Sequence, residues 1–275
     1  MTRTALVAAL ALFPACVVGH VGSGDAVTVD REVEGAVALS NETMVAVLVR
    51  PTADASSMEI RCDDNLVDEL LTEIEDGVLR LRTPNGVNLV PRTDCTAILE
   101  LPMVDELSVS GSGEIRVEGD APDLLSIRSA GSGRLHIEGA SPMLSEISSS
   151  GSGAVEARGI AACELDVDKS GSGRVEIFDL AVCDLAIRSS GSGRVVATGA
   201  AEHLDLDLSG SGGLREPDLT VDHAVIDMSG SGGIELTVVE SIEINMSGSG
   251  GATIHGNPEE RQVRATGSGK VRFEE

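Results

Sequence analysis

The triplet Gly-Ser-Gly recurs along the second half of the chain with near-constant period. It begins at Gly111, Gly131, Gly151, Gly171, Gly191, Gly210, Gly230, Gly248 and Gly267, so the spacing stays between 18 and 20 residues. A period this short cannot describe independent domains. It describes a stacked unit whose apolar stripe is buried only by the units above and below it. Each unit reads as two strands. The strand after the triplet places Ile115/Val117, Leu135/Ile137, Val155/Ala157, Val175/Ile177 and Val195/Ala197 on one face, with mostly charged residues between them. The strand before the next triplet does the same with Leu125/Ile127, Leu165/Val167, Leu185/Ile187 and Leu204/Leu206. Period-2 alternation puts one face inward and one outward. Asp227 breaks the alternation set by Val225, so a one-residue frame shift is expected there; Glu216 marks the sixth unit as irregular.

These features predict an all-β parallel β-helix of about 20-residue coils. Gly111-Ser112-Gly113 and its eight equivalents form the turns, and the middle serines stack along one edge. A leucine-rich repeat has a similar period but needs an Asn or Cys ladder, and only Asn245 and Asn257 lie beyond residue 100. The 275 residues include no Trp, no Tyr and three Phe. That suits a narrow core of Val, Ile, Leu and Ala, and it removes the stacking platforms on which many sugar and base sites rely.

The first half is less regular. Residues 1–16 read as an export signal, with Arg3 ahead of an apolar run from Ala5 to Phe13. Leu12-Phe13-Pro14-Ala15-Cys16 resembles a lipoprotein box, which makes Cys16 the candidate for lipidation. Residues 17–25 read as a flexible tether. Residues 26–105 read as an N-terminal cap and first coils. Within them, residues 65–76 predict a short helix, with Asn65 as N-cap and Gly77 as its stop. Residues 106–275 are the Gly-Ser-Gly β-helix. The cap is expected to cover the open end of the solenoid.

The formal net charge is −25. Such a surface repels phosphate backbones, so nucleic acid is not expected as a partner. The triplet serines lack the Gly-x-Ser-x-Gly elbow of a hydrolase, and Gly267-Ser268-Gly269-Lys270 lacks P-loop spacing. Asp166/Asp168 and Asp205/Asp207 are outward Asp-x-Asp pairs, weak candidates for a divalent cation; the calcium-binding nonapeptide is absent. His136, His203, His223 and His255 are scattered over separate units. No catalytic residue and no cofactor follow from these patterns. Cys163 and Cys183 each lie 12 residues after the first Gly of their units. Stacked coils would bring their Cα atoms to about 4.8 Å, within disulfide range. Met143 and His203 fall at the same count in the flanking units. Nothing periodic fixes the distance between Cys62 and Cys95, so that bridge ranks lower.

The triplet ladder, the segment NLVDELLTEIEDGVLRL and the ending SGSGGATIHGNPEERQVRATGSGKVRF resemble, as an ordered set, the bacterial head GIN domain family of auto-transporter adhesins. The resemblance spans about residues 27–273. It implies a secreted or lipid-anchored right-handed β-helix and supplies no catalytic residues. Family members often follow the triplet with Asp, whereas Glu, Arg, Ala, Gly or Lys follows here. The favoured reading is a non-catalytic, adhesin-like module of the cell envelope. Its ligand is an unnamed envelope, glycan or protein partner, and it meets the membrane only through a lipid anchor. The alternatives are a polysaccharide-acting β-helix enzyme and a purely structural spacer.

Overall fold

The computed structural model describes residues 18–52 and 56–274. It is an all-β solenoid of stacked parallel coils, and the strands preceding and following each triplet form two walls. Wall A carries Glu106–Val109, Ser126–Ser129 and Glu146–Gly151, and continues coil by coil to Glu260–Gly267. Wall B carries Glu114–Val117, Arg134–Ile137 and Ala154–Arg158, and continues to Lys270–Glu274. In the later coils a third wall appears, where Leu180–Val182 pairs with Gly199–Ala201 and then with Leu219–Val221. The inward column is apolar and closed to water: Ile115, Leu135, Val155, Val175 and Val195 are all at or below 1% exposure. Among the described residues, no helix is long and apolar enough to cross a membrane.

The corners need glycine for two separate reasons. At Gly171 φ is +94°, a region costly to any residue with a Cβ. A methyl group there would also run into the backbone of Gly151 in the coil below. The corner backbone is itself a ladder, with Ser172 N and Gly173 N both donating to Gly151 O at 3.0 and 2.9 Å. The first corner in the chain is built differently. Asn41 and Thr43 make it with side chains: Asn41 Nδ2 donates to Val45 O at 2.8 Å, and Thr43 N donates to Asn41 Oδ1 at 3.0 Å.

The N-terminal region does not stack in chain order. Ala38–Asn41 and Ala46–Pro51 sit between the coil of Val78–Arg82 and Thr96–Leu101 on one side and the coil of residues 106–117 on the other. The chain therefore runs outward to the end of the solenoid, returns, and leapfrogs its own earlier coil. The outermost strands are Leu71–Glu75 on wall A and Ala26–Arg31 on wall B, joined to the stack through antiparallel pairings.

Two expectations for this region are corrected. The helix over 65–76 is absent. A single 3₁₀ turn, Val67–Glu69, crosses from wall B to wall A, and Leu71–Glu75 is a strand. Asp76 (φ +52°) and Gly77 (φ +81°) form the two-residue turn of a hairpin with Val78–Arg82. Asp-Gly with both φ positive is the signature of that turn, whose twist matches paired strands. Leu66, Val67 and Leu70 are buried in the core, so tertiary packing overrides the helical spacing. Of the tether expected over 17–25, the described part is also replaced, because Val18–Val21 pairs in parallel with Val87–Val90.

The repeat irregularities fall where the sequence places them. Ala224, Ile226 and Met228 are buried while Val225 and Asp227 face outward, a frame shifted by one residue. The coil containing Glu216 breaks register with both neighbours.

Candidate functional site

The end of wall A, where it enters the Gly-Ser-Gly corner, lines a groove of about 710 Å³ across seven successive coils. Parallel stacking aligns each position into a column, so the lining is periodic. One column is almost all hydroxyl: Ser150, Ser170, Ser190, Ser209, Ser229, Ser247 and Thr266. The column two residues earlier is mixed in charge, with Asp168, Arg188, Asp207, Asp227 and Arg264 among its members. Between them runs a column whose side chains are buried, including Ser149, Lys169, Ser189, Leu208, Met228 and Met246. The rise per coil equals the strand spacing of about 4.8 Å, so a ligand meets the same hydroxyl at every step. A hydroxyl both donates and accepts, so this column can bond polar ligands of either kind.

Lys169 is the one lysine in the buried column, at 2% exposure. Its Nζ donates to Gly171 O at 3.2 Å and occupies the space beside Gly193 where a side chain would otherwise sit. Burial lowers its pKa from the ordinary lysine range, because the charged form loses solvation.

The four aspartates singled out from the sequence are outward on wall A but do not converge. The coil bearing Ala186 and Arg188 separates Asp166/Asp168 from Asp205/Asp207. Arg188 Nη1 lies 3.5 Å from Asp166 and 3.9 Å from Asp168, so its charge is shared with that first pair. Asp168 and Asp207 do line the groove.

Cys163 and Cys183 stack as the spacing requires. Cys183 N donates to Cys163 O at 3.1 Å and the sulfurs lie 3.3 Å apart, as two free thiols. The thiol of Cys163 beside it, together with burial and neighbouring acids, raises the Cys183 pKa. His203 does not continue that column. The coil between is one residue shorter, so His203 stacks on Asp184 and on His223, the two imidazoles lying 5.2 Å apart. The bonded pair is Cys62–Cys95. The antiparallel pairing of Ser57–Asp63 with Thr96–Leu101 brings these two together, a contact that no repeat period could reveal. Asp63 lies beside them. Burial pushes its pKa up, but donation from Arg92 N, Thr93 N and Gly24 N outweighs this and holds it below the usual carboxylate range. The sulfurs are spent in the bridge and the carboxylate on backbone donors, so this trio is a structural knot. Cys16 and the signal segment lie outside the described residues.

Sequence reasoning missed the groove. The available signal was the serine that precedes most triplets, at 110, 150, 170, 190, 209, 229 and 247. The triplet serine is a separate column that does not line the groove.

A family described as "Putative auto-transporter adhesin, head GIN domain" matches residues 36–141 and 134–258. Among solved structures, one described as a "Putative lipid binding protein" from Parabacteroides distasonis ATCC 8503 superposes with a TM-score of 0.69. It shares 21% identity over 94% of this chain and 100% of its own. A "putative adhesin" from Parabacteroides merdae ATCC 43184 gives a TM-score of 0.68 at 18% identity, over 94% of this chain and 99% of its own. At these identities the likeness establishes the fold. No curated protein matches.

Proposed function

The chain belongs to the family described as "Putative auto-transporter adhesin, head GIN domain", and from that premise we propose that it is a non-catalytic, adhesin-like recognition module displayed at the cell envelope. The observation that carries this reading is the groove on wall A, where seven coils present a column of hydroxyls at constant rise. A repeating array suits a repeating ligand, and we assign it an extended, hydroxyl-rich chain such as a glycan strand. Many identical hydrogen bonds, each worth only about 0.5–1.5 kcal/mol net, give a contact that strengthens with ligand length. The described residues include only two aromatic rings of the Phe type, Phe178 and Phe273, and neither lines the groove. Binding would therefore rest on hydrogen bonds and on the mixed charges of Asp168, Arg188 and Arg264.

The test is a glycan array probed with the full chain and with Ser190→Trp and Ser229→Trp, which fill the groove from exposed positions. Binding that rises with oligosaccharide length and is lost in both variants is the expected result. Length-independent binding, or binding unchanged by both substitutions, would remove the groove from the function. Steady turnover of any polysaccharide would replace the whole reading with the enzymatic one.

A further inference from the structure

The solenoid changes design part-way along the repeat, and two thiols sit at the change. Around residues 121–124 and 141–144 the third side of the coil is a turn, closed by Leu124 N donating to Ala121 O and Leu144 N to Ser141 O, both at 3.2 Å. In the strands Arg174–Gly191, Arg194–Gly210 and Gly213–Gly230 the chain runs unbroken through that side. Residues 159–163 lie between the two designs and belong to no strand. Pairing with the next coil stops at Arg158 and Phe178 and resumes at Glu164 and Asp184. Between those points single bonds bridge the coils, such as Ala181 N donating to Ile160 O at 2.8 Å.

Cys163 and Cys183 face each other across this break, their sulfurs 3.3 Å apart. Cys163 is exposed and lies in a bend outside any strand, so its backbone can yield. Cys183 is half-buried and fixed within Arg174–Gly191. It borders a depression of about 360 Å³ lined also by Ala162, Ala181, Ala200 and Ala201. Small side chains leave a reagent room to reach the sulfur. The charged residues of that lining, Glu202 and Asp222, are both acidic. Inert structural cysteines are buried in apolar surroundings. These two are accessible, adjacent and unbonded. They sit at the start of the wall A strand Glu164–Gly171, whereas the groove takes in its far end.

We propose that Cys163 and Cys183 form a reversible dithiol–disulfide site, oxidised by exchange with small disulfides of neutral or positive charge, whose bond staples the two coil designs together. The neighbouring thiol, burial and nearby acids keep Cys183 protonated to higher pH, and Cys163 is the more exposed, so Cys163 attacks first. Its thiolate attacks one sulfur of the reagent, expels one thiolate and leaves a mixed disulfide on Cys163. The Cys183 thiolate then attacks the Cys163 sulfur and expels the second. Two protein thiols lose two electrons, the reagent disulfide gains them, and the two thiol protons end on the two released thiols. A disulfide bond is about 2.05 Å long, so a small shift of the bend completes the approach. Glu202, Asp222 and Asp184 disfavour an anionic reagent at this surface.

The experiment uses the full chain carrying Cys16→Ser, which leaves this pair and the Cys62–Cys95 bridge as its cysteines. It is treated with cationic cystamine, neutral bis(hydroxyethyl) disulfide or anionic glutathione disulfide. Unreduced peptide mass spectrometry and thiol labelling after denaturation follow the products. The parent should lose two hydrogens, yield a peptide linked through Cys163 and Cys183, and keep no adduct. Mild reduction should return both thiols. Cys183→Ser should stop at the mixed disulfide on Cys163. Cystamine and the neutral reagent should react severalfold faster than glutathione disulfide at low salt. That gap should narrow at about 1 M salt, where the screening length is about 3 Å. An adduct that persists on the parent, chains cross-linked to one another through Cys163, or both thiols still free after cystamine would each overturn the site. Rates that ignore reagent charge and salt would overturn the class of oxidant assigned to it.

Discussion

The N-terminal region and the repeat use the same wall geometry and reach it by opposite means. From residue 126 onward each coil pairs with the coil about 20 residues earlier, and glycine makes the corner. Before residue 106 the coils are out of chain order, the outer strands are antiparallel, the first corner is made by Asn41 and Thr43, and a disulfide ties the strands. Repetition lets a short sequence rule do all the work, because every coil is its neighbour's template. An end has no neighbour on one side, so it needs individual devices.

The severest test of that contrast is deletion of residues 26–105. This removes two coils and bares the strands Glu106–Val109 and Glu114–Val117. The truncated chain should be insoluble when expressed, since it offers unpaired edges and an open core. A soluble monomer that unfolds cooperatively would show the repeat to be self-sufficient.

Cys62→Ser/Cys95→Ser should come next in size. The bridge spans a sequence separation of 33 residues, for which loop closure is worth about 3–4 kcal/mol. Urea midpoints of the oxidised parent and the variant measure it. A difference within error would mean that the unusual threading already holds this end.

Asn41→Ala strips four side-chain hydrogen bonds from a buried corner. It leaves buried partners unmet, with a cost of about 1–3 kcal/mol. Gly171→Ala forces a Cβ into φ +94° and onto the backbone of Gly151. The conformational part alone is about 1–2 kcal/mol. If either variant matches the parent in thermal unfolding, the corresponding corner is not held as described.

The smallest effect is expected at Lys169→Met, which copies the residue found in the same column at 228 and 246, and it should be stabilising. Because burial depresses the Lys169 pKa in the folded chain, the unfolded chain binds more protons between that value and the ordinary value of 10.5. Stability of the parent should therefore rise with pH through that window, and the variant should lose the rise. Parallel pH profiles would show the ammonium to be already satisfied by Gly171 O.

Legibility followed the same division. The triplet period sufficed for the coils, the inward columns and the frame shift at Asp227, because a repeated pattern averages out local accidents. Residues 65–76 failed for want of such averaging. Leu66, Leu70 and Ile74 fit a helical stripe, while Asp76-Gly77 signalled a hairpin; only the packing of Leu66, Val67 and Leu70 decided between them. The Cys62–Cys95 bridge ranks below Cys163–Cys183 on the sequence, since its contact depends on an antiparallel return that no period reveals. For the site, the Asp-x-Asp pairs were correctly placed outward, but counting along one strand could not show that Arg188 stands between them. The groove is lined by residues of seven coils, a property of many coils together.

The leapfrogged coil sets a direction on how the protein can be made. Residues 38–51 lie between neighbours that end at residue 101 and begin at residue 106, so during vectorial emergence Ala38 waits for Val78 and Ala46 for Thr96, about 40 and 50 residues, before either face is covered. Once that knot closes, every later coil needs only the last one formed, and each contact spans about 20 residues. Growth then has a slow start and a fast, one-way continuation, since non-local closures carry most of the kinetic barrier.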